Sequence, residues 1–173
     1  MLGLSSFFPS YYTDHFKSIK YENLYKKGYR GLIFDIDNTL VPHGNDSTHE
    51  VDEFFNKIHK IGFKTILLSN NNEERIKKFN QNIGTLYIDD AGKPEVDSFN
   101  KAVEMLGVKK TETLVIGDTT FTDIVGANRA GISSILVKYI GHDQKGKKGF
   151  KRRIEKVILW FYKLSPYYNK LEM

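Results

Sequence analysis

Two carboxylates stand one residue apart at Asp35 and Asp37, directly after the apolar run LIF. Two carboxylates this close together on a loop that leaves a strand cannot both play the same chemical role. Asp35 can present a nucleophilic oxygen, because enzyme carboxylates are known to form covalent aspartyl-phosphates. Asp37 can protonate a leaving oxygen and later deprotonate an attacking water, as general acid and base. The pair is therefore a candidate for phosphoryl-transfer chemistry.

Further polar residues follow or precede apolar segments along the chain. Ser69 and Asn70 follow the run FKTILL, and Lys93 precedes a helical stretch that opens with proline. The Ser69 hydroxyl and the backbone N–H of Asn70 could hold phosphoryl oxygens, and Lys93 could balance the remaining negative charge. These three residues are therefore candidates for binding a phosphoryl group.

A third carboxylate position suggests a metal. Asp118 follows the apolar run TLVIG, and Asp123 comes five residues later. Mg²⁺ prefers hard oxygen ligands, which Asp35, a backbone carbonyl near Asp37 and Asp118 could supply. The ion would reduce the repulsion between a carboxylate nucleophile and a phosphate dianion.

Strand-like and helix-like segments alternate along the chain. Strands are predicted at Arg30–Asp35, Phe63–Ser69, Thr85–Ile88, Thr113–Gly117 and Ser133–Tyr139, and helices at Thr48–Ile61, Glu73–Ile83, Pro94–Leu106 and Asp123–Ala130. This alternation predicts an α/β fold with a mainly parallel, five-stranded core sheet. Ligands of such sheets bind beyond the carboxyl ends of the strands, so the polar residues above are expected to meet at one rim.

The sequence resembles the haloacid dehalogenase (HAD) superfamily of phosphohydrolases, over roughly residues 28–139. LIFDIDNTLV is similar to its first motif, Ser69-Asn70 to the second, Lys93-Pro94 to the third and GDTTFTD to the fourth. The resemblance implies a Rossmann-like fold. It also implies Asp35 as nucleophile, Asp37 as acid and base, and Thr39 as a residue that shapes the first loop and contributes to substrate binding. Mg²⁺ is implied to be held by Asp35, Asp118 and the Asp37 carbonyl, with Asp123 behind these ligands.

The spacing of these motifs leaves no room for a cap domain. Only 29 residues separate Thr39 from Ser69, and 23 separate Ser69 from Lys93. The active site is expected to be open, as in members that act on large or surface-held substrates. The segment lengths, with the AGKP, GDTTFTDIVGANRAG and FFPSYYTDHF stretches, resemble the bacterial YqeG-type, subclass IIIA phosphatases, which are similar to the mitochondrial phosphatidylglycerophosphate phosphatase. We expect a single domain over residues 1–173.

Composition excludes several classes of protein. The 173 residues include no cysteine, which excludes a disulfide scaffold and a thiolate zinc site. No secretory signal is recognisable, so a cytoplasmic location is expected, with peripheral attachment at the inner face of the membrane as an option. The net charge of +5 arises from residues 138–163, which hold nine lysines and arginines against two acidic residues. Because the rest of the chain is slightly acidic, nucleic-acid binding across the whole protein is disfavoured.

The basic C-terminal segment, about residues 140–173, also contains an amphipathic helix. Phe150, Ile154, Val157, Phe161 and Leu164 form one apolar stripe, with Lys151, Arg152, Lys156 and Lys163 on the remaining face. The stripe is expected to pack on the sheet, or to lie on an anionic lipid surface through residues 145–164, or to bind RNA or a protein partner. Docking and lipid contact do not exclude each other.

Together these features predict a Mg²⁺-dependent phosphomonoester hydrolase that acts through an aspartyl-phosphate, with phosphatidylglycerophosphate as the expected lipid substrate. One alternative is a phosphatase for a soluble sugar or nucleotide phosphate. A second is a non-catalytic adaptor that binds a partner or RNA through the basic tail. The intact set of Asp35, Asp37, Lys93 and Asp118 argues against the adaptor, because a binding module needs no such cluster of charges.

Overall fold

The computed structural model describes residues 3–141 and 147–169. Its strands are β1 (Tyr11–Thr13), β2 (Gly31–Phe34), β3 (Lys64–Leu68), β4 (Leu86–Ile88), β5 (Thr113–Gly117) and β6 (Ser133–Val137). Its α-helices are α1 (Tyr21–Lys26), α2 (His49–Ile61), α3 (Glu73–Phe79), α4 (Val96–Leu106), α5 (Val125–Ala130) and α6 (Lys147–Leu164). Residues 142–146 and 170–173 of the predicted C-terminal segment, including the first two of the predicted lipid-contact stretch, lie outside the described residues.

The strands form one parallel sheet in the order β1-β6-β5-β2-β3-β4. β2 lies in the middle, where Phe34 is opposite Ile116 of β5 and Leu67 of β3. The connection from β2 to β3 holds α2, and the one from β3 to β4 holds α3, so no cap domain occurs within residues 35–93. The predicted α/β, Rossmann-like class is confirmed.

The core lies on both faces of the sheet, because successive side chains of a strand point to opposite sides. Leu32 and Phe34 pack with Phe55 of α2 on one face. Ile33 packs with Phe99 of α4 on the other. Helices that bury both faces explain why β2 is continuously apolar, and they hold its carboxyl end rigidly at the sheet edge.

Four elements differ from the prediction. The first is helix α1, for which the sequence pattern gave no prediction. The sheet gains a sixth strand, β1, which pairs with β6 in an edge position. Asp123 does not begin a helix but lies in a π-helical turn, Thr120–Ile124, that leads into α5. Helix α3 ends at Phe79 rather than at Ile83, because the Asn80 side chain bonds to the backbone N–H and carbonyl of Thr85 and turns the chain.

Helix α6 docks on the body, but not with the predicted face. Its buried residues are Glu155, Ile158 and Tyr162, and Tyr162 packs with Tyr12 of β1 and Leu136 of β6. The expectation that the apolar stripe packs on the sheet is wrong: its five members, Phe150, Ile154, Val157, Phe161 and Leu164, are between 37% and 67% exposed. Among the described residues, every helix falls short of the length and apolarity that a bilayer crossing needs.

Candidate active site

Three predicted residues lie directly beyond neighbouring strands. Asp35 follows β2, Ser69 follows β3 and Asp118 follows β5. The backbone N–H of Asp35 donates to the carbonyl of Ile116 at 3.0 Å, which continues the β2–β5 ladder by one residue. Since these strands are parallel, their ends meet at one edge of the sheet, as the sequence predicts.

The loop after β2 turns back over this edge. Asn38 adopts a φ of 66°, a left-handed conformation that asparagine tolerates better than most residues. The turn brings Thr39 back beneath the site, where its hydroxyl lies 3.1 Å from Oδ2 of Asp35 and 3.2 Å from Oδ1 of Asp118. Thr39 therefore helps to orient two carboxylates rather than standing in the open cavity.

Lys93 enters the site from the loop before α4. Its Nζ donates to Oδ1 of Asp35 at 2.6 Å and to Oδ1 of Asp123 at 2.7 Å, and its side chain is only 4% exposed. Asp123 also accepts from the backbone N–H of Thr119 at 3.1 Å. The structure thus brings together three residues that are far apart in the sequence.

Gly117, the last residue of β5, makes room for this arrangement. A Cβ added there would lie 2.4 Å from Cγ of Asp123. Any other residue would therefore displace the Asp123 side chain from its place beside Lys93.

The burial of these carboxylates perturbs their ionisation. Desolvation raises the pKa of Asp35 to about 6, even though the charge of Lys93 acts to lower it. Desolvation and the neighbouring Asp35 charge likewise raise the pKa of Asp118 to about 6, against the lowering effect of Arg152. Desolvation also raises the pKa of Asp123. Desolvation acts to lower the pKa of Lys93, but the charges of Asp123 and Asp35 outweigh it and raise that pKa.

The same carboxylates fit a divalent metal ion. Asp35, Asp118 and Asp123 each offer an oxygen, and these oxygens lie within 4.8 Å of one another. A cluster of hard oxygen donors with raised pKa values suits a cation such as Mg²⁺, whose charge would favour their ionised forms. The side chain of Asp37, in contrast, lies outside this cluster, so a contribution from Asp37 would come from its backbone carbonyl, as the resemblance implies.

Asp37 lies on another wall of the site, among hydrogen-bond donors. Its carboxylate accepts from Nδ2 of Asn71 at 2.6 Å and from the backbone N–H of Gly44 at 2.9 Å, and Nδ1 of His43 lies 3.3 Å away. Burial acts to raise the pKa of Asp37, but these hydrogen bonds, with the charges of His43 and Arg75, outweigh it and lower that pKa.

The two asparagines after β3 contact different parts of the site. The Asn70 side chain is bonded to the Lys93 backbone, accepting from its N–H at 2.8 Å and donating to its carbonyl at 3.3 Å, so it fixes the position of Lys93. Asn71, which the sequence reasoning missed, donates from Nδ2 to Oγ of Ser69 at 3.0 Å as well as to Asp37. Its position beside the Ser-Asn pair was the only signal that could have found it.

Arg152 of α6 is the second missed residue. Its guanidinium forms an ion pair with the carboxylate of Asp118, donates to the carbonyl of the same residue at 3.0 Å, and donates to Oε2 of Glu155 at 2.9 Å. Glu155 in turn accepts from the backbone N–H of Thr120 at 2.9 Å, and Tyr139 lies under the guanidinium. The sequence pattern predicts Arg152 on the basic face of an amphipathic helix, and no local pattern indicates Asp118 as its partner.

These residues surround an open cavity of about 320 Å³. Asp35, Asp37, Lys93 and Asp118 line it, together with Ser69, Asn70 and Asp123. Lys151, Arg152 and Glu155 of α6 form one wall. The cavity therefore has room for a phosphoryl group between carboxylates and several cations.

Comparison with protein families and sequences agrees with this chemistry. Residues 45–131 match the family described as haloacid dehalogenase-like hydrolase. The chain is 36% identical over 154 residues to the "Probable phosphatase YqeG" of Bacillus subtilis (strain 168), and the match covers 88% of this chain and 90% of that protein.

Two more distant similarities concern a lipid enzyme and a solved structure. The chain is 24% identical to "Phosphatidylglycerophosphate phosphatase 1, chloroplastic/mitochondrial" of Arabidopsis thaliana, over 75% of this chain and 40% of that protein. The cobalt-bound deoxy-D-mannose-octulosonate 8-phosphate phosphatase of Haemophilus influenzae superposes with a TM-score of 0.52 at 18% identity, covering 79% of this chain and 90% of that chain. The latter likeness supports the fold alone.

Proposed function

The chain belongs to the haloacid dehalogenase-like hydrolases, and we propose that it is a Mg²⁺-dependent phosphomonoester hydrolase acting through an aspartyl-phosphate at Asp35 on a phospholipid head group. The observation that carries the proposal is the buried cluster in which Lys93 contacts Asp35 and Asp123, beside Asp118. The favoured substrate is phosphatidylglycerophosphate, converted to phosphatidylglycerol by the chain acting as one domain.

The reaction has two steps. First, an oxygen of Asp35 attacks the phosphorus, so that a new oxygen–phosphorus bond forms while the bond to the ester oxygen breaks. The leaving oxygen takes a proton from Asp37. Second, a water attacks the same phosphorus and gives a proton to Asp37, and the bond to Asp35 breaks. Inorganic phosphate leaves, and both carboxyl groups return to their starting states.

The surroundings of Asp37 suit this alternation. Its hydrogen bonds from Asn71 and Gly44 lower its pKa and favour the base form, which the second step needs. A phosphate dianion bound beside it would raise the same pKa, because like charge disfavours ionisation. Substrate binding would therefore favour the acid form that the first step needs.

The remaining residues bind the phosphoryl group. The Ser69 hydroxyl and the Asn70 backbone N–H hold its oxygens, Thr39 shapes the loop that carries Asp35, and Lys93 offsets negative charge. The carboxylates of Asp35 and Asp118, with the carbonyl of Asp37, would hold Mg²⁺, and Asp123 would support them from behind.

When bound, the ion supplies charge neutralisation between the carboxylate nucleophile and the phosphoryl oxygens. Lys93 neutralises charge at the same place through its own contacts with Asp35 and Asp123.

The lipid substrate is supported by α6 and by one relative. The exposed apolar stripe of α6, between basic side chains such as Lys151 and Lys156, suits a helix lying on an anionic membrane surface. Each lysine or arginine near such a surface contributes about 1 kcal/mol to the free energy of membrane binding. The similarity to a phosphatidylglycerophosphate phosphatase points to the same substrate class. We therefore place the protein at the cytoplasmic face of a membrane, in peripheral contact through residues 145–164.

The test of the reaction is phosphate release from vesicles that contain phosphatidylglycerophosphate. We expect release in Mg²⁺ that is lost in EDTA and in Asp35→Asn, whose fold is checked by circular dichroism. Hydrolysis of a soluble sugar or nucleotide phosphate without hydrolysis of the lipid would refute the lipid assignment but not the chemistry. Hydrolysis of neither would refute the chemistry and favour the adaptor.

The test of the membrane contact is sedimentation with vesicles. Phe161→Glu places a charge in the exposed stripe and should abolish binding to phosphatidylglycerol vesicles at low salt. Met105→Glu is the matched control, because Met105 is also exposed, on α4. Equal binding by the two variants would contradict the role of the stripe.

A further inference from the structure

A second cavity of about 210 Å³ lies between α6 and the β1–β6 edge of the sheet. Its apolar and aromatic lining residues are Tyr12, Leu136, Val137, Tyr139 and Leu159. The reaction described above uses none of these residues. The cavity therefore needs its own explanation.

This cavity adjoins the catalytic one. Asp118, Arg152 and Glu155 line both, so the two spaces share a wall formed by one network of ion pairs. A molecule whose phosphomonoester lies against Asp35 could therefore extend past this wall into the second cavity. The arrangement suits a ligand with a phosphorylated end and an apolar body.

Two lysines lie at the second cavity, in addition to Arg152. The side chains of Lys138 and Lys156 line it, and both residues are exposed. An apolar space beside two lysines is complementary to an amphiphile with an anionic group next to its hydrocarbon part. A sugar or nucleotide phosphate has no such part.

We propose that this second cavity binds the first segment of an acyl chain of the phospholipid substrate, while Lys138 and Lys156 contact its phosphodiester. The proposal rests on the proposed function and extends it, because it identifies residues that select a lipid over a soluble phosphomonoester. The size is suitable: an apolar cavity of roughly 150 Å³ in another protein binds benzene, and this one is larger.

The same geometry explains why an exposed helix can serve a buried site. The outer face of α6 carries the apolar stripe, and its inner face lines both cavities through Arg152 and Leu159. A helix resting on the membrane would hold the two cavities next to the lipid surface. A single phospholipid could then reach the catalytic carboxylates without leaving the membrane entirely.

The experiment compares two soluble substrates that share one head group. One is dihexanoyl phosphatidylglycerophosphate, used below its micelle concentration, and the other is the deacylated molecule. Leu159→Trp fills the second cavity, and Met105→Trp, at an exposed apolar residue of α4, is the matched control. Because the lipid is monomeric, membrane binding does not enter the measurement.

We expect Leu159→Trp to raise the KM for the acylated substrate about tenfold, which corresponds to roughly two methylene groups no longer buried. Its kcat, and the KM for the deacylated substrate, should stay within about twofold of wild type, and Met105→Trp should change neither kcat nor either KM. Equal effects on both substrates, or no effect on either, would overturn the proposal while leaving the phosphatase function intact.

A second variant covers the case in which Leu159→Trp does not fold. Lys138→Gln combined with Lys156→Gln alters exposed side chains only and should raise the KM for both head-group substrates, but not for p-nitrophenyl phosphate, which has no phosphodiester. An unchanged KM for the head-group substrates would refute the assigned role of the lysines. Failure to hydrolyse even p-nitrophenyl phosphate in Mg²⁺ would instead refute the proposed function itself.

Discussion

Replacing Lys93 by methionine should destabilise the metal-free protein strongly. The ammonium lies 2.6 Å from Asp35 and 2.7 Å from Asp123, and the side chains of Lys93 and Asp123 are 4% and 2% exposed. Removing one partner of a buried ion pair typically costs about 3–5 kcal/mol, because a buried charge is left without compensation. In Lys93→Met two carboxylates lose their neighbouring cation. We therefore expect the free energy of unfolding to fall by about 3–5 kcal/mol at neutral and alkaline pH.

The stability lost in Lys93→Met should be larger at higher pH. Burial raises the pKa of Asp35 to about 6 and that of Asp123 above its ordinary value, and Lys93 acts against both shifts. Without Lys93 both pKa values rise further. A carboxyl whose pKa is higher in the folded than in the unfolded state makes the free energy of unfolding fall as pH rises. The loss caused by Lys93→Met should therefore be at least about 1.4 kcal/mol larger near pH 8 than near pH 5, equivalent to one pKa unit on one group.

The assay is urea denaturation followed by circular dichroism in EDTA, near pH 5 and near pH 8. Lys101→Met is the control, because Lys101 is exposed on α4, and we expect it to change stability by less than about 0.5 kcal/mol. Adding Asp123→Asn to Lys93→Met should restore part of the stability and none of the activity. A loss below about 1 kcal/mol, or an equal loss at both pH values, would refute the electrostatic reasoning.

Three further predictions concern residues around this cluster. Gly117→Ala should displace Asp123 and lower kcat by about a hundredfold, since misplacement of about 1 Å can have that effect. Retained activity would contradict this prediction, because it would mean that the backbone at residue 117 moves to accommodate the methyl group. Asn71→Ala removes a hydrogen bond that lowers the pKa of Asp37, so the alkaline limb of the kcat–pH profile, where Asp37 loses the proton that the first step needs, should move to higher pH; an unmoved limb would contradict Asp37 as the acid. Arg152→Gln should lower the free energy of unfolding by about 2–4 kcal/mol by removing an ion pair with two carboxylates. Arg153→Gln, at the exposed next residue, should leave the free energy of unfolding almost unchanged. Similar losses of stability in the two variants would refute the role of Arg152 in holding α6 on the body.

Much of the fold could be predicted because the relevant information is local. Buried strands such as β2 and β5 are short apolar runs bounded by polar residues. Helices α2 and α4 are followed by Gly62 and Gly107, whose left-handed φ angles of 111° and 60° end each helix where the sequence indicates. Strand β1 was missed because its three residues become a strand only by pairing with β6, more than a hundred residues later.

The candidate site likewise has one part that the local sequence predicts and another that it does not. Asp35, Ser69 and Asp118 could be predicted to meet because each directly follows a strand of one parallel sheet. The contact between Arg152 and Asp118 joins residues 34 positions apart in the sequence, and nothing in the neighbourhood of either residue specifies it. The face of α6 was wrongly predicted for a related reason. The most apolar face is normally the buried one, but here Glu155 and Arg152 find charged and backbone partners on the body and turn Ile158 and Tyr162 inward.

The charges of the site explain why α6 belongs to it. The catalytic cavity is lined by five carboxylates, and its cations are Lys93 from the loop before α4 and Lys151 and Arg152 from α6. Without α6, Lys93 would be the sole lysine or arginine among the described lining residues, facing four carboxylates. Burial, with a smaller effect of the neighbouring carboxylates, raises the pKa of both Asp35 and Asp118 to about 6. The proposed nucleophile, Asp35, must be ionised to attack phosphorus. Arg152 of α6 acts to lower the pKa of Asp118 and so favours its ionised form. The helix that we propose as the membrane contact therefore also contributes to the electrostatics of the candidate site.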